Sequence, residues 1–342
     1  MSDLETTMIL PHHIPVQIAG TGSYLPEKIL TNAMLEKMVD TTDEWIISRT
    51  GIRERRIASD RQSTSDLAAE AAKAALKNAG IKAADIELII VATVTPDLAF
   101  PATACFVQQK IGAAKSVAFD ISAACSGFLY AMDLAASQIG SGAIRNALII
   151  GAEKLTSIIN WKDRNTCVLF GDGAGAAVLT RGDDKSGRIL SITKGTDGSQ
   201  TGILRVPGSG TAIEDDFESQ PMEGSINGTI HMAGREVYKH AVTAMKEAAI
   251  KVIEDAGLTP ADIAMVVPHQ ANLRIIEAIR ERLELPPERV FINLHKYGNT
   301  SAAAVAIALD EAQRTKAIKR GDNLVMVAFG AGLTWAAACV RW

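Results

Sequence analysis

The chain has 342 residues, of which 47% are hydrophobic and 5% aromatic, and its 35 basic and 39 acidic residues leave a formal net charge of −4. At about 100–200 residues per domain this makes two domains or one large doubled one, long enough to bury about three quarters of its unfolded surface without disulfide or metal. The balanced charge argues against bulk nucleic-acid binding and a polybasic membrane anchor, and the low aromatic content against a base-stacking surface.

Residues 1–13 read as a loose tail. Asp3 and Glu5 precede Met8-Ile9-Leu10 where a signal peptide would carry positive charge. His12 and His13 have no Cys or carboxylate at ligand spacing, so no metal site is expected. Four cysteines, Cys105, Cys125, Cys167 and Cys339, stand without CxxC spacing, and no run reaches the length of a membrane span. A soluble cytoplasmic protein is expected.

A helical pattern at 67–78 ends at Gly80, and an Asp85-Ile86 turn leads into an apolar strand at 88–93. A second strand, 117–121, precedes a helix at 127–139, and a third follows at 147–151. The same series returns later: a helix at 237–255 ending before Gly257, Asp262-Ile263, a strand at 265–268, a strand at 290–294, a helix at 301–314 and a strand at 324–328. Such repetition predicts a duplicated α/β unit with halves 14–185 and 186–342 and strands covered on both faces. The stretch 194–228, rich in Gly, Ser, Thr and acids, reads as an excursion over the surface or over a site. Phe170-Gly171-Asp172-Gly173-Ala174-Gly175 looks like a nucleotide fingerprint, but a strand pattern follows it where a helix is required, so its glycines read as close-packing residues.

Loops after matching strands hold Cys125, His269 and Asn299. Cys125 sits where a helix begins, among Ala123, Ala124, Ser126 and Gly127. A helix N-terminus favours an anion and can lower a thiol pKa toward neutrality. The common alternative for a lone cysteine is an inert core residue, and this is the reading for the other three. His269 follows a strand ending at Pro268, and Asn299 lies in a Gly-Asn turn before a helix. The Phe329-to-Trp335 segment could offer a backbone N–H to an oxyanion. Cys, His and Asn in this order suit a papain-like hydrolase, for which the sequence around Cys125 is wrong. They also suit a decarboxylating condensing enzyme, which needs a thiol to hold an acyl group and two neutral donors for an enolate.

The chain resembles the 3-oxoacyl-[acyl-carrier-protein] synthase III family from about Val16 to Trp342. The resemblance rests on Gly20 to Pro26, Asp43-Glu44-Trp45-Ile46, Arg49 to Arg55, the Cys125 loop, Phe170 to Gly175, Pro268 to Arg274, Gly298 to Ser301 and Phe329 to Trp335. It implies an α/β thiolase-like fold, a duplicated αβαβα five-layer architecture, and a homodimer. It implies that Cys125 takes an acyl primer from acyl-CoA, a substrate and not a resident cofactor. Malonyl-acyl-carrier-protein then enters and decarboxylates between His269 and Asn299, and the backbone N–H groups of Cys125 and Ala331 form the oxyanion hole. Trp45, Arg49, Thr50 and Arg164 are implied for the CoA nucleotide, and Gly234 and Asn272 for the pantetheine tunnel. Phe100 is implied at the end of a partner's acyl pocket, favouring short primers. Gln270, Ala271, Asn272, Leu273 and Arg274 correspond to the family's carrier-protein contact, to which Arg235, Lys239 and Lys246, on one face of the helix near 235–250, add positive charge. Related enzymes that make quinolone or polyketide starters share the triad and remain an alternative.

Overall fold

The computed structural model describes residues 14–182, 187–208, 210–211 and 226–342. His12, His13, the boundary at 185/186 and part of the 194–228 excursion lie outside the described residues. In chain order the first elements are β1 (Val16–Tyr24), β2 (Lys28–Thr31), α1 (Asn32–Leu35), α2 (Asp43–Thr50), β3 (Glu54–Ile57) and α3 (Thr64–Ala79). They continue with β4 (Leu88–Ala92), α4 (Thr103–Ile111), β5 (Val117–Ile121), α5 (Gly127–Gly140), β6 (Asn146–Glu153) and β7 (Gly173–Arg181). Then come β8 (Arg188–Thr196), β9 (Leu204–Arg205), β10 (His231–Met232), α6 (Gly234–Asp255), β11 (Met265–Pro268) and α7 (Leu273–Arg282). The last are α8 (Leu294–Tyr297), α9 (Ala303–Arg314), β12 (Asn323–Gly330) and β13 (Thr334–Arg341).

Of the two large sheets, one has the order β1-β7-β6-β4-β5 and the other β11-β12-β13-β8, while β2 pairs with β3 and β9 with β10 in two-stranded ribbons. In the first, β4 runs parallel to β5 and β6, with β7 and β1 antiparallel. Helices α5 and α9 lie between the two sheets; Phe128, Met132, Val305 and Leu309 pack with Ile90 and Ile149 of one sheet and Leu324 and Met326 of the other. Helices α3 and α4 cover the outer face of the first sheet, α6 and α7 that of the second. The layers thus run helix, sheet, helix, sheet, helix. Strands this deeply covered must be apolar on both faces, which is why they read as continuous Ile/Val/Leu/Ala runs.

The expected strand at 290–294 is not an element of the second sheet. Val290 makes one isolated bridge to Val266, and the chain turns into α8. The Gln270 side chain takes over the pairing: its Nε2 donates to Pro268 O (2.8 Å) and Phe291 O (3.1 Å), and its Oε1 accepts from Asn293 N (2.9 Å) and Leu294 N (3.2 Å). A side-chain amide can satisfy backbone groups that a ladder would otherwise hold. The glycine-rich stretch also finds its place, since Gly173 and Gly175 belong to β7.

Candidate active site

Two cavities meet at Cys125. The larger, about 1070 Å³, is lined by Cys125, His269 and Asn299 at its base and by Trp45, Arg49, Lys162, Arg235 and Arg274 among others. The smaller, about 460 Å³, also reaches Cys125, is walled by apolar residues such as Val94, Leu98, Ile121 and Leu155, and is bordered by Ala331. Segments of the 194–228 excursion close over both: Leu204 borders each cavity, and Arg205 and Val206 border the smaller one.

Cys125 lies in a short 3-10 turn, Ala124–Ser126, that runs directly into α5, and Ala124 holds a left-handed backbone (φ 45°) to aim it. Gly330, at the end of β12, packs so close that a Cβ there would stand 2.5 Å from Cys125 N. The end of β12 is thus packed directly against the backbone of Cys125, an approach that only glycine permits. The expectation of a lowered thiol pKa is corrected: burial, with a smaller push from the Glu153 carboxyl, drives it up to about 12, against the pull of a Ser301 hydrogen bond. The resting thiol is protonated.

His269 follows β11, its backbone N–H bonded to Val327 O (2.7 Å). It is 3% exposed, and burial pushes its pKa down to about 4, so the imidazole is neutral at pH 7. Its Nδ1 has no hydrogen-bond partner among the described residues. Asn299 is pinned on both sides: its N–H donates to Leu169 O (2.8 Å), and Gly171 N donates to its carbonyl (3.0 Å). Its side-chain Oδ1 accepts from Ser301 N (2.8 Å), which leaves Nδ2 as the donor available to a ligand. Two neutral donors and a thiol thus border one cavity.

Of the residues implied for CoA, Trp45, Arg49, Thr50, Gly234 and Asn272 line the large cavity. Arg49 stacks 5.0 Å from the Trp45 ring centre and Arg164 5.3 Å, a flat face flanked by cations. Arg164 donates to the Asp40 carbonyl and carboxylate and is outside the cavity wall. The Thr50 hydroxyl is spent on the end of α2, donating to Ile46 O (2.6 Å) and accepting from Ile52 N (3.0 Å). Asn272 caps α7 by accepting from Arg274 N (2.9 Å) and donates to Arg49 O (3.0 Å), tying the two walls together.

Of the carrier-contact residues, Lys239 and Arg274 are exposed, and Arg274 lies 5.9 Å from the Tyr238 ring. Ala271, Asn272 and Leu273 are half-buried. Gln270 is a correction: it is 1% exposed and its amide is consumed by the backbone bonds given above, so it presents no surface to a partner. Phe100 is 85% exposed and lines neither cavity of its own chain. Sequence reading missed Lys162 at the rim, Ser301, and above all Glu153, buried at the end of β6. The signal for Glu153 was present, a lone carboxylate closing an otherwise apolar buried strand.

A buried thiol at the start of one central helix, an asparagine before the other and a neutral histidine on the same cavity wall define a condensing enzyme of the thiolase fold. Residues 119–198 match the family model described as 3-Oxoacyl-[acyl-carrier-protein (ACP)] synthase III, and residues 253–342 match that of its C-terminal part. A beta-ketoacyl-[acyl-carrier-protein] synthase III of Caldanaerobacter subterraneus subsp. tengcongensis is 58% identical over 96% of this chain and 98% of its own. The crystal structure of the 3-oxoacyl-[acyl-carrier-protein] synthase III of Aquifex aeolicus is 50% identical, covers 96% of this chain and 100% of its own, and superposes with a TM-score of 0.88. The priming beta-ketosynthase of the R1128 polyketide pathway is 36% identical, covers 97% of each chain and gives a TM-score of 0.87. The chain belongs to the 3-oxoacyl-[acyl-carrier-protein] synthase III family and is an acyltransferase of the condensing type.

Proposed function

We propose that this enzyme joins a short acyl-CoA primer to malonyl-acyl-carrier-protein with loss of CO2, giving 3-oxoacyl-acyl-carrier-protein and initiating type II fatty acid synthesis. The observation that carries the reading is that Cys125, neutral His269 and Asn299 border one tunnel-sized cavity, while a second, apolar cavity opens at the same sulfur. The tunnel suits a pantetheine arm. The apolar space suits the acyl chain that the arm delivers. Cys125 attacks the primer thioester, and backbone N–H groups of Cys125 and Ala331 stabilise the oxyanion. The malonyl thioester carbonyl then sits between His269 and Asn299. Loss of CO2 leaves an enolate, whose charge the two donors take up, and its carbon attacks the acyl group on Cys125. An uncharged imidazole suits this step, because its N–H donates a hydrogen bond but is far less acidic than an imidazolium and does not protonate the carbanion.

A homodimer is part of this reading. Phe100 (85% exposed), Val117 (64%) and Leu98 (53%) lie on or beside β5, the edge strand of the first sheet. An exposed apolar edge of this kind is a pairing surface. No helix among the described residues is long and apolar enough to cross a membrane, in keeping with a cytoplasmic enzyme. The polyketide-priming alternative has the lower identity, 36% against 50% and 58%.

The test separates the half-reactions. With acetyl-CoA alone, mass spectrometry should find one acetyl group on the Cys125 peptide. Cys125→Ala should lose condensation and keep malonyl decarboxylation. Asn299→Ala should keep acetylation and lose decarboxylation by roughly 100–1,000-fold. Acetyl on Cys105, Cys167 or Cys339 instead would sink the assignment.

A further inference from the structure

The ladder between β4 and β6 ends at the Ala92–Gly151 pair, and beyond it the chain leaves the sheet to form one wall of the smaller cavity. Thr93, Val94, Pro96, Leu98 and Ala99 line that cavity. Strand β6 runs on to Glu153, which is 0% exposed and lines neither cavity. Its Oε2 accepts hydrogen bonds from Thr93 Oγ1 (3.1 Å), Val94 N (3.1 Å), Thr95 N (3.1 Å) and Thr95 Oγ1 (2.7 Å), and its Oε1 shares the Val94 N–H (3.2 Å). One carboxyl thus pairs the backbone N–H groups of two successive residues just past the ladder, groups that cost free energy when they are buried unpaired. The next part of the segment is tied to the start of α3: Thr64 Oγ1 donates to Thr95 O (2.5 Å), and Ser65 N (2.8 Å) and Oγ (2.6 Å) donate to the Asp97 carboxylate. Thr64 and Ser65 also line neither cavity, so the wall is held from behind.

We propose that Glu153 is a positioning residue for primer selection: by holding residues 93–95 from behind, it fixes the wall against which the acyl chain on Cys125 packs and so sets which chain lengths are accepted. The proposal rests on the reading of Cys125 as the acyl acceptor and names a residue that governs which primers that site takes. Cys125 borders the same cavity, so the acyl chain it carries extends along this wall. A fixed apolar pocket separates substrates that differ by one methylene by roughly 10–200-fold, because its wall does not give. A wall free to shift fits each chain in turn and loses that separation. Four of the five bonds end on one oxygen, so what the wall requires of residue 153 is a buried acceptor at the Oε2 position. An amide oxygen can stand there, and an alkyl group cannot. Thr95 completes the clamp from the other side. Its Oγ1 donates to Glu153 and accepts from Lys154 N (2.9 Å), and Thr95 itself lines neither cavity.

Full-length enzyme given an equimolar mixture of acetyl-, butyryl- and hexanoyl-CoA, and quenched early, reports relative kcat/KM as the ratio of the three acyl forms of the Cys125 peptide in mass spectra. Glu153→Ala should narrow the spread between the best and the poorest primer at least about fivefold. Glu153→Gln, which keeps an oxygen for the Oε2 position, should retain the wild-type spread. Thr95→Val keeps the shape of its side chain and opens no space, so narrowing there comes from the lost bonds and not from a new cavity. It also decides alone if Glu153→Ala does not fold. A merely structural role would slow all three primers by one factor and leave their ratios as in the wild type. Unchanged ratios, narrowing confined to Glu153→Ala, or a Glu153→Gln enzyme that behaves like Glu153→Ala would each overturn the proposal. A wild type acylated elsewhere than Cys125 would overturn the underlying reading itself, whatever the ratios.

Discussion

His269 is neutral because burial opposes its charge, and that has a consequence for stability. Its pKa falls from 6.5 to about 4 on folding. As pH drops below 6.5 the unfolded chain takes up a proton that the folded one refuses, so stability present above 6.5 is lost progressively down to about 4. Glu153 acts in the opposite sense. Its folded pKa is raised from 4.5 to about 7, so it contributes stability below 4.5 that is lost as pH rises through 7. The wild-type curve therefore conceals both. Comparing wild type with His269→Ala by urea unfolding isolates the first, and their difference should shift in favour of the wild type by up to about 3 kcal/mol as pH is raised from 4 to 6.5. A pH-independent difference would mean the imidazole takes up its proton in the folded protein as readily as in the unfolded chain. The sequence placed Cys125, His269 and Asn299 in loops after matching strands, and all three border one cavity; such positions are legible because helix starts and strand ends leave local marks. It could not show the sign of the Cys125 shift, because that depends on how much protein and which carboxyl surround the sulfur, and Glu153 comes from a strand 28 residues away.

Helix α9 shows how an element places a side chain. It crosses β6 and β7 so closely that a Cβ on Gly151 would stand 2.2 Å from the Ala302 carbonyl oxygen. Gly151→Ala must push the 299–302 turn away from the first sheet, and Asn299 with it. Overpacking of this kind costs about 1–3 kcal/mol, and more where backbone is the obstacle. The expected outcome is a lower Tm together with a decarboxylation rate reduced at least tenfold, while acetylation of Cys125, on the other central helix, is less affected. Unchanged decarboxylation would show that the turn tolerates the shift. The two central helices and the strands around them were readable from apolar periodicity, since burial on both faces leaves an unmistakable run. The strand expected at 290–294 was not real, although its composition is strand-like. Gln270 lies 20 residues earlier and captures Asn293 N and Leu294 N, and a long-range side-chain bond has no local signature. The same bonds removed Gln270 from the carrier surface to which its position in the motif had assigned it.

At the scale of the whole molecule, the net charge of −4 opposes an acidic carrier protein, so any attraction must be local. Exposed Arg235 and Lys239 start α6, and Arg274 starts the neighbouring α7. Together they give the tunnel mouth a positive rim. The rim residues are not equivalent as probes. Arg235 and Arg274 border the large cavity, where CoA phosphates would also come, so their reversal should disturb both half-reactions. Lys239 is exposed on the same helix face and does not line the cavity, so it separates docking from CoA binding. Charges on a rim act mainly on association and are screened within about 10 Å at 0.1 M salt. Lys239→Glu should therefore raise the KM for malonyl-carrier-protein severalfold at low salt and leave the acetylation rate from acetyl-CoA unchanged. The wild-type KM for the carrier should climb with ionic strength, and the gap between wild type and variant should close as it does. A KM indifferent to salt, or a variant slowed equally with CoA and carrier substrates, would move the docking surface away from α6.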